Sequence, residues 1–245
     1  MTNGASTSFI KVRIAVVSDI HGNLTAFEAV LEDLRETAPD LIFHGGDLAH
    51  AGSSPSEIVD RIRDLKWSGV LGNTDEMLFR PESLTEFGLP EPLSSAIAKM
   101  AAWTVESLGE ERLNWLSELP WRQIHAPMAL VHASPKDLWR APMPDASEEK
   151  FEVYAELGQP VAVYAHIHRS HVRVVSGRTI VNTGSVSLSH DGDPRAAYLL
   201  LDDGAPSVRR VPYDMEKAVT LLKSSGLPRA DWVARMLAAA RPEAQ

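Results

Sequence analysis

"VRIAVVSDIHGNLTAFEAVLEDLRET", residues 12–37, decides how this chain is built. Val12 to Ser18 is a continuous apolar run of strand length, the pattern of a strand buried on both faces. A polar turn follows, Asp19-Ile20-His21-Gly22-Asn23. Leu24, Phe27, Val30, Leu31 and Leu34 then recur at helical spacing and predict an amphipathic helix over about 24–37. Strand, polar turn and helix in that order open a β-α-β unit.

The pattern repeats. "DLIFHGGD" (40–47) reads as a second short strand ending in a glycine turn. Ser54-Pro55-Ser56-Glu57 predicts a helix start, with Ser54 as cap, Pro55 at the first helical position and Glu57 completing a capping box. Ile58, Ile62 and Leu65 supply its buried stripe. "SGVLGN" (68–73) is the third strand, and its Gly72-Asn73 pair reads as a turn. Such alternation predicts a parallel sheet. Residues 80–93, "RPESLTEFGLPEPL", carry three prolines and read as a surface loop, a candidate flap. Helices are expected at about 94–108 and 110–119.

After Pro120 the chain turns strand-rich, with "WRQIHA", "MALVHAS", "PVAVYAH", "HVRVVS", "RTIVNTGS" and "AAYLLLDD" and one helix near 148–157. "VVSGRTIV" and "LLLDDGAPSVRRV" read as hairpins. Two helices near 215–224 and 230–240 close the chain. The change near residue 120 separates two halves of one expected domain, residues 1–245, with a core over about 11–213 and carboxyl-terminal helices over about 214–240.

Composition narrows the functions. The 245 residues are 44% hydrophobic and 23% charged, an ordinary globular balance. A formal net charge of -9 repels nucleic acid and anionic membrane, which argues against both as extended partners. A small positive site made by metal ions is compatible with that charge. The chain has no cysteine, which excludes disulfides, zinc–thiolate sites and thiol nucleophiles. "MTNGASTSF" lacks an apolar run of signal-peptide length, and no stretch approaches a membrane span. A cytoplasmic protein is expected.

Five polar clusters share one placement, just after an apolar strand: Asp19-Ile20-His21, Gly46-Asp47, Gly72-Asn73, His132, and His166-Ile167-His168. In open α/β sheets ligands bind beyond the carboxyl ends of the strands. Each cluster alone has a plain reading. Asp19 or Asn23 could cap a helix, glycine dipeptides are normally turns, and His132 could be a hydrogen-bonded core histidine. Together they would bring Asp, Asn and His ligands to one edge, a donor set that suits manganese, iron, zinc or nickel.

The ordered series SDIHGN (18–23), GGD (45–47), GN-x-D (72–75), VH (131–132) and H-x-H (166–168) resembles the calcineurin-like metallophosphoesterases. It is most similar to their small bacterial and archaeal phosphodiesterases. "VNTGSVS" and "DGDPRAAYLLL" are similar to that family's last strands, so the resemblance spans about residues 11–213. It implies an α/β fold of two mixed β-sheets packed as a sandwich and flanked by helices in four layers. It implies one metal on Asp19, His21 and His168, a second on Asn73, His132 and His166, and Asp47 bridging both. Catalytic roles would fall to Asp47, Asn73 and Asp75, the last orienting its neighbours. Two metals about 3.5–4 Å apart would share a hydroxide that attacks the phosphorus of a small-molecule phosphate ester. Four positive charges, less two from Asp19 and Asp47 and one from hydroxide, leave roughly one net positive charge for the phosphate.

The chain departs from the family at three places. Thr74 stands where many relatives have a histidine thought to protonate the leaving group, and some small phosphodiesterases a cysteine. Ala165-His166-Ile167-His168 replaces Gly-His-Thr-His, and Ser189-His190 replaces Pro-Arg. Threonine is no general acid at neutral pH, so esters such as aryl esters, which need little protonation, are the expected substrates. His44, His50 and His171 read as surface or supporting residues, Trp67 and Trp139 as packing residues, and Arg209-Arg210 as a solvated face. The alternatives are a metal-binding scaffold without catalysis, as in the retromer subunit of this superfamily, and a nuclease or protein phosphatase of the same chemistry.

Overall fold

In the computed structural model, which describes residues 12–243, β1 (Arg13–Val17) divides its side chains between two cores. Ile14 and Val16 enter an apolar layer with Phe43, Val70, Leu130, Val163 and Val181. Ala15 and Val17 enter another with Phe27, Val30, Ile58, Ile62 and Leu108. The period of two thus puts one buried face on a second sheet and the other on helices. The amino-terminal stretch read for a leader lies outside the described residues.

The first half alternates as expected. β1 leads to α1 (Leu24–Thr37), β2 (Leu41–His44), α2 (Pro55–Leu65) and β3 (Ser68–Gly69). α1 is capped by Asn23, whose Oδ1 accepts from Ala26 N at 3.1 Å. Then come α3 (Asn73–Phe79), α4 (Glu82–Phe87) and α5 (Leu93–Ser117), which breaks at Gly109 with φ 69° and ψ 171°. The second half holds β4 (Arg122–His125), β5 (Met128–Val131) and α6 (Glu148–Phe151) with a 3-10 turn over Glu152–Leu157. β6 (Val161–Tyr164), β7 (His171–Val175), β8 (Arg178–Asn182), β9 (Ala196–Asp202) and β10 (Ala205–Val211) follow. α7 (Met215–Ser224) and α8 (Ala230–Ala239) end the described chain.

Two mixed five-stranded sheets result, in the orders β10-β9-β1-β2-β3 and β4-β5-β6-β8-β7. β1, β2 and β3 are parallel, as are β5, β6 and β8. Helices α1, α2 and α5 cover one sheet. Phe151, Tyr154 and Leu157 cover the other through Ala129, Ala162 and Ile180. No helix among the described residues is long and apolar enough to cross a membrane.

Five local expectations are corrected. The third strand keeps only two ladder residues, because Leu71 N turns to Pro120 O at 2.9 Å. Gly72-Asn73 is a helix start instead of a turn, with Asp75 and Glu76 in the first turn of α3 where carboxylates favour the helix dipole. The loop expected over 80–93 contains α4, stopped by Gly88 at φ 81°. Ser54 sits at the amino end of α2 but its side chain makes no capping bond. Arg209-Arg210 is not a uniformly solvated face. β10 sends them to opposite sides, Arg209 to Asp33 and Arg210 to a largely buried pair with Asp191.

Candidate metal centre

β1, β2, β5 and β6 all end at one edge of the sandwich. There the chain delivers Asp19 and His21, Asp47, His132, and His166 and His168, with Asn73 opening α3 beside them. Five of these seven residues hold left-handed backbone: Asp19 (φ 53°), His21 (47°), Asp47 (54°), His166 (67°) and His168 (55°). That conformation costs a non-glycine residue about 1–2 kcal/mol, and such residues gather at functional sites. Here it turns side chains at the strand ends back into one space. Loop-to-loop bonds hold the turns, with Asp19 N donating to Gly46 O and His21 N to Asp47 O, each at 3.0 Å.

The side chains meet as two groups. Asp19, His21, Asp47 and His168 are buried, and one donor atom of each lies within 4.8 Å of the others. His168 Nε2 is 3.1 Å from Asp19 Oδ1 and 3.2 Å from His21 Nε2. In the second group, Asn73 Oδ1 lies 2.9 Å from His132 Nε2 and 2.8 Å from His166 Nδ1. Asp47 stands between the groups. Its Oδ2 is 3.7 Å from His21 Nε2, and its Oδ1 is 3.4 Å from His132 Nε2.

Proton placement decides what these groups can hold. His21, His132 and His168 each direct Nδ1 at a backbone carbonyl, of His50 (3.0 Å), Gly45 (2.7 Å) and Leu188 (2.5 Å). A carbonyl only accepts, so Nδ1 carries the proton and Nε2 offers a lone pair. His21 Nε2 and His168 Nε2 then face each other as two acceptors. His132 Nε2 faces the Asn73 carbonyl oxygen in the same way. Closely set acceptors without protons between them need a cation, and the residues therefore fit divalent metal ions.

The pKa directions agree. Burial lowers His21 and lowers His166 to about 3, keeping both neutral. Burial works against charge on His168 too, yet the Asp19 carboxylate carries its pKa above the ordinary value. Asp19 is lowered despite burial, through His168. Asp47 is raised, by burial first. A proton on His168 would thus compete with a metal for the same lone pair.

Neighbouring residues fix this geometry. Thr74 N donates to Asp47 Oδ1 at 2.9 Å. Asp75 stands outside the cluster and acts through Asp47: its Oδ1 accepts from Leu48 N at 3.0 Å, and burial raises its pKa to about 7. Sequence reasoning missed Ser18, Thr183 and Ser185. Ser18 Oγ donates to Asp19 Oδ2 at 2.7 Å and meets Thr183 Oγ1 at 2.6 Å, while Ser185 Oγ donates to Asp19 O at 2.9 Å. The signal for Thr183 and Ser185 was the polar run after β8, and for Ser18 its place between β1 and Asp19. His190 stacks on His168 with ring centroids 4.7 Å apart. His50 supports His21 through its carbonyl, and His171 bonds Tyr164. His44 is neither surface nor supporting. It is fully buried beside Gly69, and neither ring nitrogen has a partner among the described residues. Trp67 packs edge-on against Phe27.

Comparison with known proteins identifies the family. Residues 12–204 match the calcineurin-like phosphoesterase superfamily domain. An uncharacterized protein of Methanocaldococcus jannaschii is 32% identical over 247 residues, covering 93% of this chain and 98% of its own. The crystal structure of a metallophosphoesterase from Sphaerobacter thermophilus has a TM-score of 0.75 at 28% identity, over 94% of this chain and 100% of that one. A hypothetical protein from Pyrococcus horikoshii OT3 has a TM-score of 0.81 over 95% of this chain and 100% of its own, and at 19% identity that likeness concerns the fold.

Proposed function

The chain belongs to the calcineurin-like phosphoesterase superfamily, and on that premise we propose that it is a two-metal phosphodiesterase acting on a small or nucleotide-like phosphate ester. The observation that carries the reading is the two pairs of facing acceptors at the strand ends, His21 Nε2 with His168 Nε2 and His132 Nε2 with Asn73 Oδ1. Asp19, His21 and His168 would hold one divalent ion, Asn73, His132 and His166 the other, and Asp47 both. When bound, such a pair activates water for in-line attack and neutralises charge on the phosphate.

The chain's own residues define the rest. As metal ligands the four histidines would be neutral, and with the Asn73 amide they would bind cations without cancelling their charge, which leaves the centre attractive to an anion in an acidic protein. Thr74 N fixes Asp47 from the start of α3, so the bridging carboxylate is placed before substrate arrives. The Thr74 hydroxyl is no proton donor at neutral pH. This favours esters whose leaving oxygen departs unprotonated, such as aryl esters.

The test compares hydrolysis of bis(4-nitrophenyl) phosphate and 4-nitrophenyl phosphate by protein of measured metal content. It is run with Mn²⁺ and again after chelation. The expected result is manganese-dependent turnover with preference for the diester. Absence of metal-dependent turnover on either compound would refute catalysis and favour a scaffold of the same fold.

A further inference from the structure

We propose that the groove beside His166 seats an aromatic ester group of the substrate, an assignment that rests on the phosphodiesterase reading above. The groove encloses about 700 Å³ and includes His166 and Ile167 in its lining. That volume lies within the range of small-molecule sites. It therefore begins at a candidate metal ligand and not on a remote surface.

Its walls suit a flat, polarisable group. Trp139, Phe87 and Met143 line it. Trp139 is held in place, because Nε1 donates to Glu76 Oε2 at 2.8 Å and the ring packs on Phe87 at 5.1 Å between centroids. Arg140 lies over the Phe87 ring at 5.0 Å. Met143 is 39% exposed although apolar. Tryptophan, phenylalanine, a thioether and a guanidinium each gain from contact with a π system. An exposed apolar surface next to a catalytic edge is a place for a ligand.

Charge and connectivity point the same way. Arg140 and Lys150 line the groove together with Asp137, which pairs with Arg140 at 3.3 Å, while Lys150 makes no ion pair among the described residues. In a chain of net charge -9 an anionic ester therefore meets an unpaired cation there, Lys150. The groove wall is also tied to the second ligand group. Glu76 lies on α3, the helix that Asn73 opens, and its Oε2 accepts from Trp139 Nε1 at 2.8 Å. A ring seated on Trp139 is therefore registered against the reacting phosphate. Ile167 now has a role: between two candidate ligands, the family's threonine is replaced by an apolar side chain that carries the groove up to the metal edge.

The test uses phosphonates, whose P–C bond is not hydrolysed, titrated calorimetrically into manganese-loaded full-length protein. Phenylphosphonate is expected to bind about tenfold tighter than methylphosphonate, from buried apolar area, and tighter than cyclohexylphosphonate. Met143→Asp and Trp139→Ala are expected to reduce the phenyl-to-methyl ratio to about threefold or less with little change for methylphosphonate. Met143→Asp alters an exposed side chain, so it serves even where Trp139→Ala does not fold. Equal binding of phenyl- and methylphosphonate overturns the assignment, and cyclohexylphosphonate binding as tightly as phenylphosphonate overturns its aromatic character. Failure to retain manganese, with no phosphonate bound, overturns the metal-centre reading and the groove assignment with it.

Discussion

Gly72→Ala tests whether Asp47 is the shared element of the centre. Gly72 has φ -95° and ψ 162°, extended backbone that alanine adopts without strain. The obstacle is local. An added Cβ would lie 2.1 Å from Asp47 Oδ1 and 2.3 Å from Asp47 N. Ordinary contact needs about 3.4 Å, so carboxylate and backbone must separate by about 1.3 Å. Rotating the carboxylate is not enough, because the Asp47 amide is struck as well and Thr74 N holds Oδ1 at 2.9 Å. Overpacking of this kind costs about 1–3 kcal/mol of stability. A misplacement near 1 Å costs roughly 10²-fold in rate. Metal content after dialysis against Mn²⁺ should fall from two per chain, and kcat/KM for bis(4-nitrophenyl) phosphate should drop by about 10²-fold. Gly69→Ala is the control: its Cβ would strike the His44 ring at 2.2 Å, away from the candidate ligands. It should lose stability and keep its metals. Gly72→Ala protein with full metal content and kcat/KM within about twofold of the parent would refute the role given to Asp47.

Thr74→His, in the first turn of α3, should speed cleavage of alkyl phosphodiesters by about 10²-fold or more at unchanged metal content, since it supplies a proton donor; equal rates would count against that account. His44 is held down at about 3 by burial, so between about pH 6.5 and 3 the unfolded chain takes up a proton that the folded chain refuses, and stability falls as pH falls. The loss is about 2 kcal/mol at pH 5. Urea unfolding of metal-free His44→Gln at pH 7 and 5 should show a drop smaller by that amount, and an unchanged drop would mean His44 is not buried neutral. Asp75→Asn keeps an acceptor for Leu48 N and should stay within about 1 kcal/mol of the parent, whereas Asp75→Leu should lose about 1–3 kcal/mol and bind manganese more weakly. Equal stabilities and metal affinities for the two variants would remove Asp75 from the support of the centre.

Much of this was legible because local and tertiary rules agree along the strands. The period of two in β1 and the helical stripe of α1 each have one packing solution, and both form where the pattern puts them. The seven candidate ligands were readable for a related reason: they follow strands whose order in the sheets brings their ends together. What failed was short-range. Gly72-Asn73 carries a turn signal, but two carboxylates in the next turn and a backbone bond to Asp47 make it a helix start. The prolines of 80–93 hide α4, a short helix that packs on its chain neighbours α3 and α5 and shows no apolar stripe long enough to read. His44 reads as a surface or supporting residue and is instead fully buried, since its burial depends on Gly69 leaving room for a ring.

The three departures from the family pattern acquire a common meaning from their positions. None is a candidate ligand, and each touches the ligand shell from outside. Thr74 holds Asp47 through its backbone while its side chain adds no proton donor. Ile167 stands between two candidate ligand histidines and lines the groove from the core that backs the second sheet. His190 brings a ring onto His168 where relatives have an arginine, and burial holds its pKa down at about 3, so it offers no positive charge. Thr74 therefore adds no proton donor and His190 no positive charge of its own, although Arg169 Nε donates to His190 O at 3.1 Å, while the apolar groove opens next to His166. On the proposed phosphodiesterase reading, a substrate suited to this combination would have a good leaving group and a nonpolar ring, and would meet the positive charge that His190 does not provide at Lys150, the unpaired cation of the groove.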